Sequence, residues 1–187
     1  MTESPKYSVV RKENQFEIRQ YSGYIQAEVQ VHELIYKTAI EAGFNILAGY
    51  IFGNNTSKQK VDMTTPVKVN QSEKIAMTTP VTVKGDDEFT VAFVMPSAYT
   101  LETLPEPRDG RIRLVSVPTH RLAVIRFSGY FNQENIQKNK ERLREWMAVN
   151  GLEVEGDFII AGYNPPWIPG FLARNEVMLK IKDVIQK

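Results

Sequence analysis

The stretch Met63-Thr64-Thr65-Pro66-Val67 recurs unchanged as Met77-Thr78-Thr79-Pro80-Val81. Each copy is rich in β-branched and apolar residues, which suit a pleated, half-buried strand. The polar residues Gln71-Ser72-Glu73-Lys74 help to separate the two copies, so the pair predicts two neighbouring strands with a turn between them. Because Pro removes one donor from the hydrogen-bond ladder, each copy is expected at a sheet edge, a strand end or a bulge.

A second and weaker repeat is longer. Residues 16–24, Phe-Glu-Ile-Arg-Gln-Tyr-Ser-Gly-Tyr, resemble residues 124–130, Val-Ile-Arg-Phe-Ser-Gly-Tyr, with one residue fewer in the second copy. Each copy predicts a strand that ends at a Gly-containing turn and precedes a helical pattern. The chain is therefore predicted to contain two halves, residues 7–105 and 111–182, joined by the connector 105–110. Two such halves place their strands together and their helices on one face, which is an α+β layer architecture.

Two segments carry helical patterns. The second helix is predicted to begin after the capping residue Asn132 and to end before Gly151, with one apolar face. That face is formed by Ile136, Leu143 and Met147. The first helix, predicted over roughly residues 32–48, is apolar on more than one side, and such a helix needs burial on more than one side. One side can pack on the sheet, and the other is expected to meet a ligand, a subunit or the loop 165–173.

That loop, Pro-Pro-Trp-Ile-Pro-Gly-Phe-Leu-Ala over residues 165–173, combines three prolines with large apolar side chains. Loops usually run over the protein surface. A stiff apolar loop therefore either covers the core or forms one wall of a binding groove. The pattern favours neither alternative over the other.

Four stretches, in the right order, resemble the SOUL haem-binding family. The resemblance is to its bacterial-style branch, which carries the repeated Met-Thr-Thr-Pro-Val sequence. They are Lys-Ile-Ala-Met-Thr-Thr-Pro-Val at 74–81, Leu-Ala-Gly-Tyr-Ile-Phe-Gly-Asn at 47–54, the segment 93–107 and the segment 161–177. The resemblance covers nearly the whole chain and implies a single SOUL-like domain over residues 1–187. It implies a twisted antiparallel sheet or distorted β-barrel with two long helices, similar to bacterial effector-binding domains.

The resemblance further implies non-covalent binding of haem or a related tetrapyrrole, for buffering or delivery. An apolar groove between the first helix and the loop suits a porphyrin face, and Lys or Arg at its rim suits the propionates. The residues predicted to form this site are His32, Ile35, Lys37, Ala39, Trp167, Ile168, Phe171 and Arg174. Haem iron takes His, Met, Cys or Tyr as its axial ligand. His32 is the candidate ligand, and its alternative role is that of an exposed residue at the helix start.

A second hypothesis comes from the last strand. Arg174, Glu176, Met178 and Lys180 share one face by alternation, which predicts a solvated face with an exposed Arg174–Glu176 pair. The alternative is a carboxylate that faces a cavity and binds a cation, as in related effector-binding domains. The chain would then be a sensing or binding module for amphipathic cationic small molecules.

Enzyme motifs give little support to a third hypothesis, a small-molecule hydrolase. The segment His32-Glu33-Leu34-Ile35-Tyr36 begins like the H-E-x-x-H zinc site but has Tyr in place of the second His. The sequence has no G-x-S-x-G motif and no phosphate-binding loop. No catalytic residue is therefore predicted.

Composition limits the class of protein. The 187 residues are 42% hydrophobic and 24% charged, with a net charge of +1, as is ordinary for a soluble globular chain. This charge gives no reason to expect nucleic acid as a partner, and no apolar run reaches the length of a membrane span. With no signal-peptide pattern and no Cys, the sequence predicts a cytoplasmic monomer without covalently attached haem. Its expected partner is a tetrapyrrole or another hydrophobic small molecule.

Overall fold

A computed structural model describes residues 4–32, 36–57, 74–75, 81–84, 89–163 and 169–182. Within these ranges there are eleven strands, two α-helices and one short 3-10 turn, Gly170–Leu172. The helices are α1 (Tyr36–Ile51) and α2 (Gln133–Val149). The strands are β1 (Tyr7–Glu13), β2 (Phe16–Tyr21), β3 (Tyr24–Val31), β4 (Asn55–Thr56), β5 (Val81–Lys84), β6 (Phe89–Val94), β7 (Glu106–Pro107), β8 (Ile112–Val117), β9 (His120–Phe127), β10 (Ile159–Gly162) and β11 (Asn175–Lys180).

Nine of these strands form one sheet in the order β1-β2-β9-β11-β10-β5-β6-β3-β8, and β4 pairs with β7 in a separate ladder. All the strand pairs in the sheet are antiparallel, and the sheet curves into a half-barrel. The predicted α+β class, with a curved antiparallel sheet and two long helices, is confirmed.

The strand order contains two equivalent four-stranded units. One unit, β2-β9-β11-β10, packs against α2, and the other, β8-β3-β6-β5, packs against α1. The pairing of β5 with β10 joins them. Each unit takes its outer strand from the other half of the chain. β2 belongs to the first half but lies in the α2 unit, and β8 belongs to the second half but lies in the α1 unit. The two halves of the sequence have therefore exchanged a strand.

This exchange corrects one detail of the sequence repeat. The repeat aligns β2 with β9 and predicts that each leads to a helix, but β2 leads into β3 through the two residues Ser22 and Gly23. The strand that precedes α1 is β3, so β3 is the topological equivalent of β9. The two Ser-Gly-Tyr turns are similar in sequence but lead to different elements, a strand after β2 and a helix after β9.

Both helices lie on the same face of the sheet, as predicted. Val83 on β5 and Ile160 on β10 are direct cross-strand partners, so their side chains point to the same face. Val83 belongs to the core under α1, and Ile160 belongs to the core under α2. The opposite face of the sheet is therefore free of both helices.

Helix α1 packs very closely on the sheet at Gly43. A Cβ atom at this position would lie 2.5 Å from Cγ2 of Val91 on β6, so only glycine permits this approach. The helix is apolar on several sides, as predicted: its fully buried and half-buried apolar residues are Ala39, Leu47, Tyr50, Ile51, Ile40, Ala42, Phe44 and Ile46. Its exposed stripe is polar and contains Lys37, Glu41 and Asn45.

Helix α2 has the predicted boundaries and face. The Oδ1 atom of Asn132 accepts a hydrogen bond of 2.9 Å from the backbone N–H of Asn135, which caps the first turn. Gly151 follows the helix with φ of +65°, a left-handed conformation that favours glycine. The predicted apolar positions Ile136, Leu143 and Met147 are buried.

The repeated sequence Met-Thr-Thr-Pro-Val falls mostly outside the described residues. Residues 63–67 and 77–80 are not among them, while Val81, the last residue of the second copy, begins β5. The pairing of the two copies stays a prediction. No helix in the described part of the chain is long and apolar enough to cross a membrane.

Candidate functional site

The face of the sheet that carries no helix contains a buried charge cluster. Its central residues are Arg19 on β2 and Glu176 on β11, whose exposed fractions are 1% and 0%. Burying an isolated charge is very costly unless it is paired and hydrogen-bonded. The contacts of these two residues therefore decide what this face can do.

Arg19 and Glu176 form a two-pronged ion pair. Nη1 of Arg19 donates to Oε2 of Glu176 at 2.7 Å, and Nη2 donates to Oε1 at 2.9 Å. Such a paired geometry matches the planar guanidinium to the carboxylate. The remaining Nε–H of Arg19 donates to Oε2 of Glu17 at 2.7 Å, and the ring of Tyr7 lies 4.4 Å from the guanidinium carbon.

Two further side chains complete the surroundings of Glu176. The hydroxyl of Tyr163, just after β10, donates to Oε2 at 2.8 Å. Nη2 of Arg174 donates to Oε1 at 2.8 Å, and its guanidinium carbon lies 4.0 Å from the ring centre of Tyr163. A carboxylate has about four lone-pair sites, and the described donors to Glu176 occupy all of them.

The pKa values follow from these contacts. Burial alone would raise the pKa of Glu176, but the hydrogen bonds and charges of Arg19 and Arg174 outweigh it and hold that pKa below its ordinary value. Burial opposes the charge of Arg19, yet Glu176 raises its pKa well above the ordinary value. Burial raises the pKa of Tyr163, and the neighbouring Glu176 charge raises it further. The cluster is thus ionised at its Arg and Glu members and neutral at its phenol.

The structure corrects the prediction made for the last strand. Alternating charged residues predicted a solvated face, but Glu176 is fully buried. The reason is that β2 supplies Arg19 on the same face of the curved sheet, so the alternation marks an interior ion pair. No local pattern indicates this pair, because its members lie 157 positions apart.

This arrangement also bears on the cation hypothesis. A carboxylate that binds a cationic ligand needs acceptor atoms directed at that ligand, whereas the acceptor sites of Glu176 are taken up by the protein's own donors. The charges of Arg19 and Arg174 balance those of Glu17 and Glu176. Glu176 therefore has no acceptor site left for an added cation.

The predicted site residues at the start of α1 occupy different environments. His32 follows β3 and is exposed, and Lys37 is exposed with its Nζ 3.9 Å from Oε1 of Glu41. Ala39 is fully buried in the core between α1 and the sheet. Ile35 lies outside the described residues. This end of the helix therefore presents polar groups on its outside and Ala39 on its inside.

The predicted site residues of the loop lie elsewhere. Phe171 is 76% exposed, Arg174 belongs to the charge cluster, and Trp167 and Ile168 lie outside the described residues. One end of the strands is marked by the successive partners Phe93, Val81, Gly162, Asn175 and Phe127. The loop connects to this end, whereas α1 begins at the opposite end, where Val31 pairs with Phe89. The structure thus separates His32 and Lys37 from Phe171 and Arg174, and the single groove stays a prediction.

Four large apolar side chains are exposed at the loop end of the sheet. Tyr130 and Phe131, in the turn between β9 and α2, are 74% and 38% exposed, while Phe171 and Leu172 are 76% and 64% exposed. We call these four residues the apolar patch. The two segments are held together by a 2.8 Å hydrogen bond from the N–H of Gly129 to the carbonyl of Gly170. Apolar surface of this kind commonly marks a binding site.

The predicted site includes Phe171 but neither Tyr130 nor Phe131. The available signal was two aromatic residues placed between a Gly turn and a helix cap, where polar residues are usual.

Metal-binding clusters do not explain the site, because no group of three or more His, Cys, Asp or Glu residues comes together within the described ranges.

Comparison with known proteins identifies the family. The family model described as SOUL heme-binding protein matches residues 2–73 and 68–180. The chain belongs to the SOUL heme-binding protein family. It is 26% identical over 162 residues to "Heme-binding protein 1" of Xenopus laevis, covering 87% of this chain and 81% of that protein. It is 26% identical over 174 residues to "Heme-binding protein 2" of Homo sapiens, covering 90% and 78%.

The fold has a wider similarity. The crystal structure of the EcmrR C-terminal domain matches this SOUL-family chain with a TM-score of 0.67 at 11% identity, covering 91% of this chain and 98% of that one. At such low identity the likeness concerns the fold alone. The predicted similarity to bacterial effector-binding domains is confirmed at that level.

Proposed function

We propose that this SOUL-family chain binds haem or a related tetrapyrrole non-covalently, and that it buffers or delivers this ligand. The observation that carries the proposal is the family match, which extends from residue 2 to residue 180. Because the sequence has no Cys, thioether attachment of haem is excluded and the affinity must come from packing, polar contacts or iron ligation.

The described residues fit such a ligand. The apolar patch offers Phe171 and Leu172 as surface for a porphyrin face, and the half-buried flanks of α1 offer a second apolar surface. Arg174, part of whose side chain is exposed, is a cation at the loop end that can bind a propionate, whereas Lys37 lies at the opposite end of the strands. When bound, haem supplies an iron centre and a broad apolar plane. The groove between α1 and the loop remains part of this proposal, and its two walls need separate tests.

The competing function, binding of amphipathic cations, loses its main support. It requires a buried carboxylate that is open to the ligand, and Glu176 is instead engaged by Arg19, Arg174 and Tyr163. We therefore retain tetrapyrrole binding as the proposed function.

The basic test is a titration of the protein with ferric haem, followed in the Soret band. We expect a saturable red-shifted band with one haem per chain.

Trp167 then reports on the loop, since haem quenches nearby tryptophan emission. The variant Trp146→Phe leaves Trp167 as the sole tryptophan, and Trp167→Phe is the matched control that leaves Trp146, which is buried and stacked on Phe16. Strong quenching in the first variant and weaker quenching in the second support a site at the loop. A titration with no saturable Soret change would contradict the proposed function.

Buffering and delivery differ in their kinetics. In direct delivery, the rate of haem transfer to an apo-acceptor protein rises with acceptor concentration. In buffering, the rate is limited by haem dissociation and does not depend on that concentration. A stopped-flow experiment over a range of apomyoglobin concentrations separates these roles.

The proposed cytoplasmic monomer is tested by size-exclusion chromatography and by fractionation of cells that express the protein.

A further inference from the structure

The apolar patch is exposed but its backbone is fixed. The carbonyl of Tyr130 accepts hydrogen bonds from the N–H of Asn132 and from Nδ2 of Asn135, both at 3.0 Å. On the loop side, the N–H of Leu172 donates to the carbonyl of Pro169 at 2.9 Å. Nδ2 of Asn175 donates to the carbonyl of Gly129 at 3.0 Å. These contacts hold the side chains outward on an ordered frame, which lowers the entropy cost of binding a ligand there.

Tyr130 lies against the loop that carries Phe171. A Cβ atom on Gly170 would meet the Cδ1 atom and the backbone N of Tyr130 at 3.3 Å. Gly170 is therefore the residue that permits this close approach, and Gly129 provides the turn with φ of +117°. The ring of Tyr130 and the turn that carries Phe171 therefore border the same patch.

Tyr130 is also the patch residue with an iron-binding atom, since Phe131, Phe171 and Leu172 have none. Haem iron accepts His, Met, Cys or Tyr oxygen as an axial ligand. His32 lies at the opposite end of the strands, and His120 is buried at the other end of β9. Within the described part of the chain, the Tyr130 hydroxyl makes no hydrogen bond, so it is available to a ligand.

We propose that Tyr130 is the axial ligand of haem iron and that the porphyrin rests on the apolar patch. This inference rests on the proposed function and places the iron at the loop end of the sheet, away from His32. The phenol hydroxyl gives up its proton to solvent water, and the phenolate oxygen forms a bond to Fe(III). The water molecule that previously occupied this position of the iron leaves, and the oxidation state of the iron does not change.

The test combines haem titration with resonance Raman spectroscopy of the ferric complex. Tyr130→Phe keeps the ring and removes the oxygen. We expect this variant to lose the phenolate–iron vibrations and the phenolate charge-transfer band, and to bind ferric haem about tenfold more weakly. His32→Ala removes the ligand that the sequence predicts, and loss of the ferric spectrum in this variant rather than in Tyr130→Phe would overturn the inference. Thermal unfolding of both variants should match that of the parent, because both altered side chains are exposed.

Phe171→Ala examines the patch separately from the iron bond. We expect weaker binding with the phenolate signature retained, because the porphyrin loses apolar contact while the ligand oxygen remains. A parent complex that binds haem without the phenolate signature, or a signature that survives Tyr130→Phe, would overturn the inference and leave the proposed function standing. A parent protein that binds no haem would instead reject the proposed function, and this inference with it.

Discussion

Arg19 and Glu176 are joined by two hydrogen bonds of 2.7 and 2.9 Å, although β9 lies between their strands in the sheet. The ion pair therefore connects β2 to β11 by side chains alone. Arg19 also contacts Glu17 on its own strand, and Glu176 also contacts Arg174. Each buried charge has more than one partner, which offsets the cost of removing it from water.

Breaking this pair should destabilise the protein strongly. Glu176→Gln leaves the shape of the side chain but removes the charge that faces Arg19, and losing one partner of a buried pair costs about 3–5 kcal/mol. Urea unfolding measures the change. The combined variant Arg19→Met with Glu176→Gln should cost less than the sum of the single changes, because neither charge is then left alone. Additive single effects would show that the two residues do not interact.

A surface ion pair provides the control. Lys182 and Glu153 form a contact of 3.0 Å, close in length to the contacts of Arg19 with Glu176, but both side chains are largely exposed. Exposed pairs contribute little because water and salt screen them. We expect Glu153→Gln to leave the urea midpoint nearly unchanged, even though its contact is almost as short as those of the buried pair. A large shift in this control would mean that contact length, rather than burial, sets the energy.

Stability should fall in acid because of Glu17 and Glu176. Burial raises the pKa of each, but their arginine partners outweigh burial and hold each pKa below the ordinary value of 4.5. The folded protein then binds protons more weakly than the unfolded chain, so these groups stabilise it above that pH. Their contribution is lost as pH falls below 4.5 and through the lowered folded pKa values. Unfolding free energies measured from about pH 7 to about pH 3 should show this decline, and Glu176→Gln should flatten it.

The close contact of α1 with the sheet predicts opposite effects at two glycines of one helix. Gly43→Ala places a methyl group 2.5 Å from Cγ2 of Val91, and overpacking of this kind costs about 1–3 kcal/mol. Gly49→Ala places the same group in open space, and alanine is favoured over glycine in a helix by about 1 kcal/mol. Thermal unfolding should show a lower midpoint for the first variant and a higher one for the second. Equal shifts would show that helix propensity alone controls both sites.

Removing the guanidinium of Arg19 should create a small cation site. In Arg19→Ala, Glu176 loses two of its donors and a cavity opens beside it. Added methylguanidinium at millimolar concentration should raise the melting temperature of this variant, since a ligand that binds only the folded state stabilises it. The parent protein should not respond. The double variant Arg19→Ala with Glu176→Gln is the control, and a response there would assign the effect to solvent rather than to the carboxylate.

The sequence predicted what depends on local pattern. The cap at Asn132 and the apolar face of α2 follow from side chains within a few turns, so they were predicted correctly. The turn at Ser22 and Gly23 looked like the turn before α2, yet the residues that follow it form a strand. Glu176 is predicted on a solvated face because its neighbours on the strand are charged, and only the curvature of the whole sheet brings Arg19 to it. Tyr130 is absent from the predicted site for a related reason, since its place beside Gly170 depends on the hydrogen bond between Gly129 and Gly170.

The exchange of strands between the two units has a consequence for biosynthesis. Strand β2 has no partner strand on its inner side until β9 is made, and Gln20 contacts His120 at a separation of 100 residues. At about 5–20 residues per second, the ribosome needs roughly 5–20 seconds to supply those residues. During that interval β2 is an open edge, and a second nascent chain could pair with it. Long-range pairing of this kind also slows folding after release. The time needed to make β9 therefore sets how long β2 remains an open edge.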